Sequence, residues 1–171
     1  SSLEYGLDGL DVPQNHTISK QTIIDDLKIQ SSQRLLTIGQ ALRLGIDQDE
    51  INNITKYDKW FIYQLKKIVE IEKLIQESKL SKEIMLLAKH NGFTDKKIAK
   101  IKNISEKEIR KFRHQNNIRP IFRLVDTCAG EFGSKTPYLY SSYDWNFHNK
   151  PFCESNPTKN KKVIILGGGP N

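Results

Sequence analysis

The chain of 171 residues is long enough for one domain of ordinary size, and its formal net charge of +7 makes it basic. No apolar run approaches the roughly 18 residues that a membrane span requires, and Ser1–Glu4 do not begin a signal peptide. For the two cysteines, Cys128 and Cys153, we expect free thiols in a reducing cytoplasm, with a disulfide or a metal pair as the alternative.

The first twenty residues predict the end of a helix followed by a linker. Leu3, Leu7 and Leu10 recur at helical spacing, and Pro13 prevents a simple continuation of that helix. Residues 11–20 have the composition of a linker. We therefore predict that residues 1–20 are the tail of a preceding unit together with its linker.

Two helices are predicted between residues 31 and 54. The first begins at about Ser31 and ends near Gly45. Its apolar side is formed by Leu35, Leu36, Ile38 and Leu42. Gly39 weakens this helix by about 0.5–1 kcal/mol relative to alanine, which is tolerable if another helix packs closely there. The second helix covers about residues 46–54 and starts at Asp47.

The strongest helical pattern begins at Thr55 and continues to Ser78 without a proline or glycine. It carries two apolar stripes on different faces. The stripes are Phe61, Leu65, Ile68 and Ile75, and Trp60, Tyr63, Ile71 and Leu74. Because a surface helix has one apolar stripe, two stripes predict a central helix buried between partners. Replacing Trp60 or Phe61 with alanine would then cost about 3–5 kcal/mol.

Three shorter helices are predicted after this long one. Ser81 caps the first, which ends at Asn91 and Gly92. The second covers residues 94–101. The third starts at Ser105, where Glu108 three residues later completes the pattern of a capping box.

The last two of these helices have the proportions of a helix-turn-helix motif. Residues 93–123 contain ten basic and three acidic residues, so this segment carries the whole excess of positive charge. The side chains that would face a DNA groove or phosphates are those of Arg110, Lys111 and Arg113. However, Glu106 and Glu108 occupy the turn that would contact base edges, and they repel phosphate. Nucleic-acid binding is therefore the alternative function, and a solvated face or a surface for acidic neighbouring domains is favoured.

The pattern changes from helical to extended after Pro120. Residues 121–125 and 136–143 are predicted as short extended pieces. Val163–Leu166 form an apolar run before three glycines, which is typical of a buried parallel strand that enters a phosphate-type loop. Because such a strand needs neighbouring strands and a crossover helix, we expect residues 163–171 to begin a following domain.

No catalytic, cofactor-binding or metal-binding residue is predicted in the chain. The histidines are not spaced as metal ligands relative to one another or to a cysteine. They are His16, His90, His114 and His148. Cys128 has no candidate base at an interpretable spacing. The turn Gly167–Gly169 is the one ligand-like feature, and a purely structural turn is the alternative.

Several of these stretches resemble one family. Residues 125–132 are VDTCAGEF, residues 136–143 are TPYLYSSY, and residues 166–171 are LGGGPN. In this order they are similar to the large chain of carbamoyl-phosphate synthetase, where its central helical region leads into the second synthetase half. The stretches DKWF at 58–61, GFTD at 92–95 and EIRK at 108–111 fit the same region. Residues 2–10 resemble the closing helix of the first half.

The resemblance implies a parent enzyme that makes carbamoyl phosphate from bicarbonate, ammonia taken from glutamine, and two ATP. Two ATP-grasp halves would use ATP with magnesium or manganese, and a glutaminase would supply the ammonia. The helical region between the halves is implied to be an oligomerisation domain without catalytic residues. Whether the product enters pyrimidine or arginine biosynthesis is left open.

Together these observations predict an all-α fold, a multi-helix bundle with a long central helix, short extended segments near the C-terminus and a single strand at the end. The predicted boundaries are 1–20 for the preceding tail and linker, 21–125 for the oligomerisation domain, 126–162 for a connector and 163–171 for the next half. We expect this region to hold two catalytic units at a fixed separation and to present a surface for self-association, with neither nucleic acid nor a membrane as partner.

Overall fold

The structure is a computed structural model that describes residues 9–11, 19–133, 136, 138–143, 152–163 and 165. These residues belong to two compact units, Ser1–Arg119 and Pro120–Asn171. The described part contains seven helices, all in the first unit, and two short strands in the second. The prediction of a largely all-α fold is confirmed.

The first unit is built from helices joined by short turns. In chain order they are α1 Lys20–Lys28, α2 Arg34–Arg43, α3 Gln48–Thr55, α4 Lys59–Glu77, α5 Lys82–His90, α6 Asp95–Lys102 and α7 Glu106–Gln115. The helix α1 lies in a region for which the sequence pattern predicts no element. The predicted helix over residues 1–10 lies mostly outside the described residues, and Gly9 and Leu10 are not helical.

The second unit contains β1 Ile121–Leu124 and β2 Leu139–Ser142, which pair antiparallel. Both strands lie within the segments predicted to be extended. The other edge of β1 is contacted by Glu154, whose backbone N–H donates to the Phe122 carbonyl at 2.8 Å and whose Oε2 accepts from the Leu124 N–H at 2.8 Å. The predicted terminal strand is described only at Val163 and Ile165, so it lies largely outside the described residues.

Side-chain caps begin most of the helices at the residues that the sequence marks. Asp47 caps α3, Ser81 caps α5 and Thr94 caps α6, each by accepting a backbone N–H of the first turn. At α7 both hydrogen bonds of the capping box between Ser105 and Glu108 are present. These four predicted helix starts are confirmed.

The start of the long helix was predicted wrongly. Its cap is Asp58, whose Oδ1 accepts the Trp60 N–H at 2.7 Å, so α4 begins at Lys59. Thr55 ends the preceding helix instead, and its hydroxyl donates to the Ile51 carbonyl. The break between α3 and α4 is made by Lys56, which adopts a left-handed conformation with φ 60°. Because this break uses neither glycine nor proline, the sequence pattern does not mark it.

Replacing Ser105 with alanine is expected to lower the free energy of unfolding by about 1 kcal/mol, because the Glu108 N–H loses its cap. The Ser105 side chain and N–H also hold the pKa of Glu108 below its ordinary value, so that pKa should rise in the variant. Urea denaturation and an NMR titration measure the two effects. Lys107→Ala, exposed in the same turn, is the control; equal losses in both variants would contradict the capping role.

The long helix α4 occupies the centre of the first unit, as predicted. It contacts α2 and α3, which precede it, and α5 and α6, which follow it. The core formed by α1 to α4 includes five completely buried side chains, those of Leu27, Ile38, Ala41, Ile51 and Ile62. The later helices bury Met85, Ile98 and Ile109 to the same extent.

The prediction that both apolar stripes of α4 are buried is wrong. Ile62, Leu65 and Ile75 are buried, but Trp60 is 61% exposed and Phe61 is 57% exposed. The expected cost of 3–5 kcal/mol for losing either ring is therefore withdrawn. Periodicity reveals that a helix face is apolar, but it cannot reveal whether the same chain supplies a partner for that face.

Gly39 lies where Leu10 crosses α2. A Cβ atom built on Gly39 would lie 3.2 Å from the Leu10 Cβ, which is tighter than ordinary van der Waals contact. The condition stated for this glycine, a closely packed second helix, is therefore not met as stated, although a close approach is present. Its neighbour is the non-helical segment Gly9–Asp11 rather than another helix.

Candidate functional site

The described residues show no constellation typical of a catalytic or metal centre. Within these ranges no group of three or more His, Cys, Asp or Glu side chains could hold a metal ion. Cys128 and Cys153 are free thiols, so the disulfide alternative is not realised. His16, His148 and Gly167–Gly169 lie outside the described residues. Among the residues described, no helix is long and apolar enough to cross a bilayer.

The helix-turn-helix pair is present, but one of its three proposed DNA-facing residues is buried. α6 and α7 are joined by a turn at Asn103, which has a φ of 52°. Arg113 is 8% exposed and its guanidinium donates to Asp95 Oδ2 at 2.9 and 3.1 Å. It lies four residues after the buried Ile109, on the helix face that packs inward. The expectation that Arg113 would face a groove is wrong.

Asp95 connects α5, α6 and α7 through buried ion pairs. Besides Arg113 it accepts from Lys89 Nζ at 2.9 Å, and Lys89 also donates to the Phe93 carbonyl. The side chains of Lys89, Asp95 and Arg113 are each no more than 10% exposed. Burial opposes ionisation of Asp95, but hydrogen bonds from Arg113 and Lys89 outweigh it and hold its pKa below the ordinary value. We call these three residues the Asp95 cluster; its role is structural.

A second cluster of charges joins the segment before α1 to the helices. Glu72 of α4 accepts from Arg43 Nε of α2 at 2.8 Å and contacts Lys97 of α6. The same two cations contact Asp11. Neither cluster was predicted, because periodicity cannot identify which distant charges meet. The only sequence signal was a lysine, Lys97, on the apolar side of a short helix.

Within the described part of the first unit, one side of α4 carries several exposed large apolar side chains. We call it the α4 outer face and define it by Trp60, Tyr63, Lys67, Ile71 and Leu74. Steps of three and four residues place these side chains on one side of the helix. Tyr63 is 48% and Leu74 is 40% exposed. Exposed large apolar side chains on one side of a helix are a candidate site of protein–protein contact.

Aromatic contacts order one end of this face. The rings of Trp60 and Phe61 pack edge to face with centroids 5.0 Å apart. Lys67 Nζ lies 4.6 Å from the centroid of the Tyr63 ring, a cation–π arrangement. Tryptophan and tyrosine are the residues that most often dominate protein interfaces. The residues of the predicted second stripe are exposed or half-buried and do not form a second core.

The family described as "Carbamoyl-phosphate synthetase large chain, oligomerisation domain" matches residues 1–117, a range that ends close to the end of the first unit. The chain is 42% identical over 172 residues to the "Carbamoyl phosphate synthase large chain" of Caldanaerobacter subterraneus subsp. tengcongensis. It is 37% and 38% identical over 174 residues to the proteins of that name from Vibrio vulnificus and Vibrio cholerae. Each match covers 99% of this chain but only 15–16% of the relative.

Proposed function

Because the chain belongs to the oligomerisation-domain family of carbamoyl-phosphate synthetase large chains, we propose that it connects the catalytic units of such an enzyme and brings copies together. The parent enzyme would make carbamoyl phosphate from bicarbonate, glutamine-derived ammonia and two ATP. ATP with magnesium or manganese would act in the adjoining synthetase halves, and a glutaminase would supply the ammonia. The site of action is the cytoplasm.

The family match is the observation that carries this proposal, and the packing of α4 gives it a physical basis. Because α4 contacts α2, α3, α5 and α6, this single helix joins the helices that precede it to those that follow it. Helices joined in this way suit a part that must keep its neighbours at a fixed separation. The helices need no reactive group for this role.

Self-association is assigned to the α4 outer face, with a second copy of the chain as its occupant. Beside this face, lysines that precede Ile68 are matched by glutamates at the same sequence distance after it. Lys59 and Glu77 are equally far from Ile68 in sequence, and so are Lys66 and Glu70. If two α4 helices pair antiparallel about a two-fold axis at Ile68, each lysine lies opposite a glutamate of the other copy.

The same arrangement also pairs the apolar residues. Leu74 of one copy falls between Trp60 and Tyr63 of the other, so the exposed rings become covered. Lys59 already contacts Asp49 at 2.7 Å in one copy. That pair is exposed and its rearrangement costs little.

Light scattering over a concentration series tests this assignment. The wild-type chain is expected to change from monomer to dimer as its concentration rises. Leu74→Glu should weaken the association at least about tenfold, because it places a carboxylate in the centre of the aromatic contact. Gln76→Glu is the matched control, because Gln76 is exposed on another side of the same helix.

The possible outcomes separate two claims. A wild-type chain that stays monomeric at every concentration would contradict self-association. Dimers of Leu74→Glu as stable as those of the wild type would leave self-association intact but exclude the α4 outer face. In that case the adjoining synthetase halves would be the partners that cover it.

A further inference from the structure

The segment Gly9–Asp11 is held by three helices that are distant in sequence. Leu10 packs against the core of α1 to α4 and crosses α2 at Gly39. Leu10 also lines a hollow of about 290 Å³, whose other walls include the charged side chains of Arg43, Glu72 and Lys97 and apolar side chains of α2, α4 and the turn before α6. The apolar ones are Leu35, Leu36, Ile68 and Phe93. The helices therefore provide apolar contacts for the Leu10 side chain next to the backbone of α2.

The backbone of the segment is bound as well. The Leu10 carbonyl accepts from Arg43 Nη1 at 3.0 Å. Arg43 is held in this direction by Glu72, which accepts from its Nε at 2.8 Å. A guanidinium fixed on one side and directed at a carbonyl on the other is preorganised to bind a peptide.

The carboxylate of Asp11 is surrounded by cations. Its Oδ1 accepts from Lys97 Nζ, its Oδ2 accepts from Lys100 Nζ at 2.8 Å, and Arg43 Nη2 lies 3.9 Å away. The Asp11 side chain is 16% exposed. Burial opposes its ionisation, but hydrogen bonds from Lys100 and Lys97 outweigh burial, so its pKa lies below the ordinary value.

The charge balance of the helices depends on this carboxylate. Arg43 and Lys97 both contact Asp11 and Glu72, so removing Asp11 would take away one of the two carboxylates that these cations share. The Lys97 side chain is only 9% exposed, and a buried ammonium with too few partners is strongly unfavourable. The helices are therefore complementary to an acidic side chain at this position, and a neutral one would remove a carboxylate partner of the buried Lys97 ammonium.

We call the surface formed by Gly39 and Arg43 of α2, Glu72 of α4 and Lys97 of α6 the seam of α2, α4 and α6. We propose that this seam is a binding site for a leucine–aspartate peptide unit and that Leu10 and Asp11 of the same chain occupy it. The site fastens the chain that precedes α1 to α2, α4 and α6 at once. It would thereby transmit the position of that preceding chain to the helices on both sides of α4. This inference goes beyond self-association, and either claim can fail without the other.

An endoproteinase that cleaves before aspartate reports directly on the Leu10–Asp11 bond in the full chain. In the wild type this bond is expected to be cut slowly, because Gly9–Asp11 are bound to the helices and are less accessible to the protease. Gly39→Val places a branched side chain where Leu10 must pass, and Lys97→Gln removes the buried cation. Each variant should accelerate cleavage before Asp11 at least about tenfold, which corresponds to about 1.4 kcal/mol of lost docking.

Three controls make this result specific. Thr37→Val on α2 and Lys82→Gln on α5 change similar groups away from the site and should leave the rate within about twofold of the wild type. Lys97→Arg keeps the positive charge and should preserve slow cleavage. Cleavage before Asp95, whose side chain is buried, reports global opening of the unit. The experiment is run at a concentration where light scattering gives a single mass, so that self-association does not change the cleavage rate.

The proposal is overturned if the wild type is cut before Asp11 as fast as Gly39→Val. It is also overturned if cleavage before Asp11 and before Asp95 rises in parallel in both variants, since the segment would then only follow global unfolding. If Lys97→Gln does not fold, the test depends on the rates of cleavage before Asp11 in Gly39→Val and Thr37→Val. Equal rates in these two variants would overturn the proposal.

Discussion

Replacing Ile62 with alanine is expected to lower the free energy of unfolding by about 2–5 kcal/mol. Ile62 is completely buried on α4, within the core that also contains Ile38 and Ile51. The change removes apolar contacts and leaves a cavity, which helices fixed by their other contacts fill only in part. Urea denaturation followed by circular dichroism measures the loss.

Trp60, two positions earlier on the same helix, provides the contrast. Its ring is larger but 61% exposed, so Trp60→Ala should cost less than about 1 kcal/mol in the monomer. Both variants must be measured at a concentration below that of self-association. A loss for Trp60→Ala equal to that for Ile62→Ala would show that the α4 outer face is covered within a single chain, contrary to the structure.

Replacing Asp95 with asparagine is expected to lower the free energy of unfolding by about 3–5 kcal/mol. The reason is the Asp95 cluster, in which one carboxylate balances two buried cations, those of Arg113 and Lys89. An amide of nearly the same shape removes the negative charge that Lys89 and Arg113 both contact. The matched control is Glu106→Gln, which breaks the exposed pair with Arg110 and should cost less than about 0.5 kcal/mol.

The pH dependence of this loss follows from the direction of the pKa shift. The pKa of Asp95 is lower in the folded chain than its ordinary value of 3.8. Its ionised form therefore stabilises the fold fully above that ordinary value, and the contribution is lost as the pH falls through the lower folded value. The difference between wild type and Asp95→Asn should be constant near neutral pH and shrink in acid. A loss no larger than that of Glu106→Gln at neutral pH would contradict this account.

The two buried clusters and the α4 outer face have different roles in the proposed function. The Asp95 cluster locks α5, α6 and α7 together, and the Asp11 contacts fasten the preceding segment to the seam of α2, α4 and α6. Both concern the rigidity of one copy. The α4 outer face concerns the contact between copies, so variants at these places should affect different measurements.

Local signals in the sequence were sufficient for most helix boundaries. Asp47, Ser81 and Ser105 cap the helices that they were predicted to start, because a cap is an interaction between residues two or three positions apart. Thr94, predicted only as the first residue of its helix, is the cap of α6. The helix starting at Asp58 was misplaced by a few residues, since the left-handed residue before it is a lysine. The family resemblance was also correct, because it depended on short ordered motifs.

Contacts between distant residues could not be predicted in the same way. Arg113 was expected to face outward, and only its position opposite Asp95 explains why it is buried. Gly39 suggested a close neighbour, but only the fold identified that neighbour as Leu10. Trp60 and Ile62 belong to the same apolar helix, and one is exposed while the other is buried.

The amino-acid sequence by itself determined the helical class, most helix ends and the family of this protein, because these depend on periodicity, capping and motifs that lie within a few residues of one another. The tertiary structure alone decided which apolar face of α4 forms core and which charges are paired. Burial and ion pairing depend on residues that are far apart in the chain and adjacent only after folding.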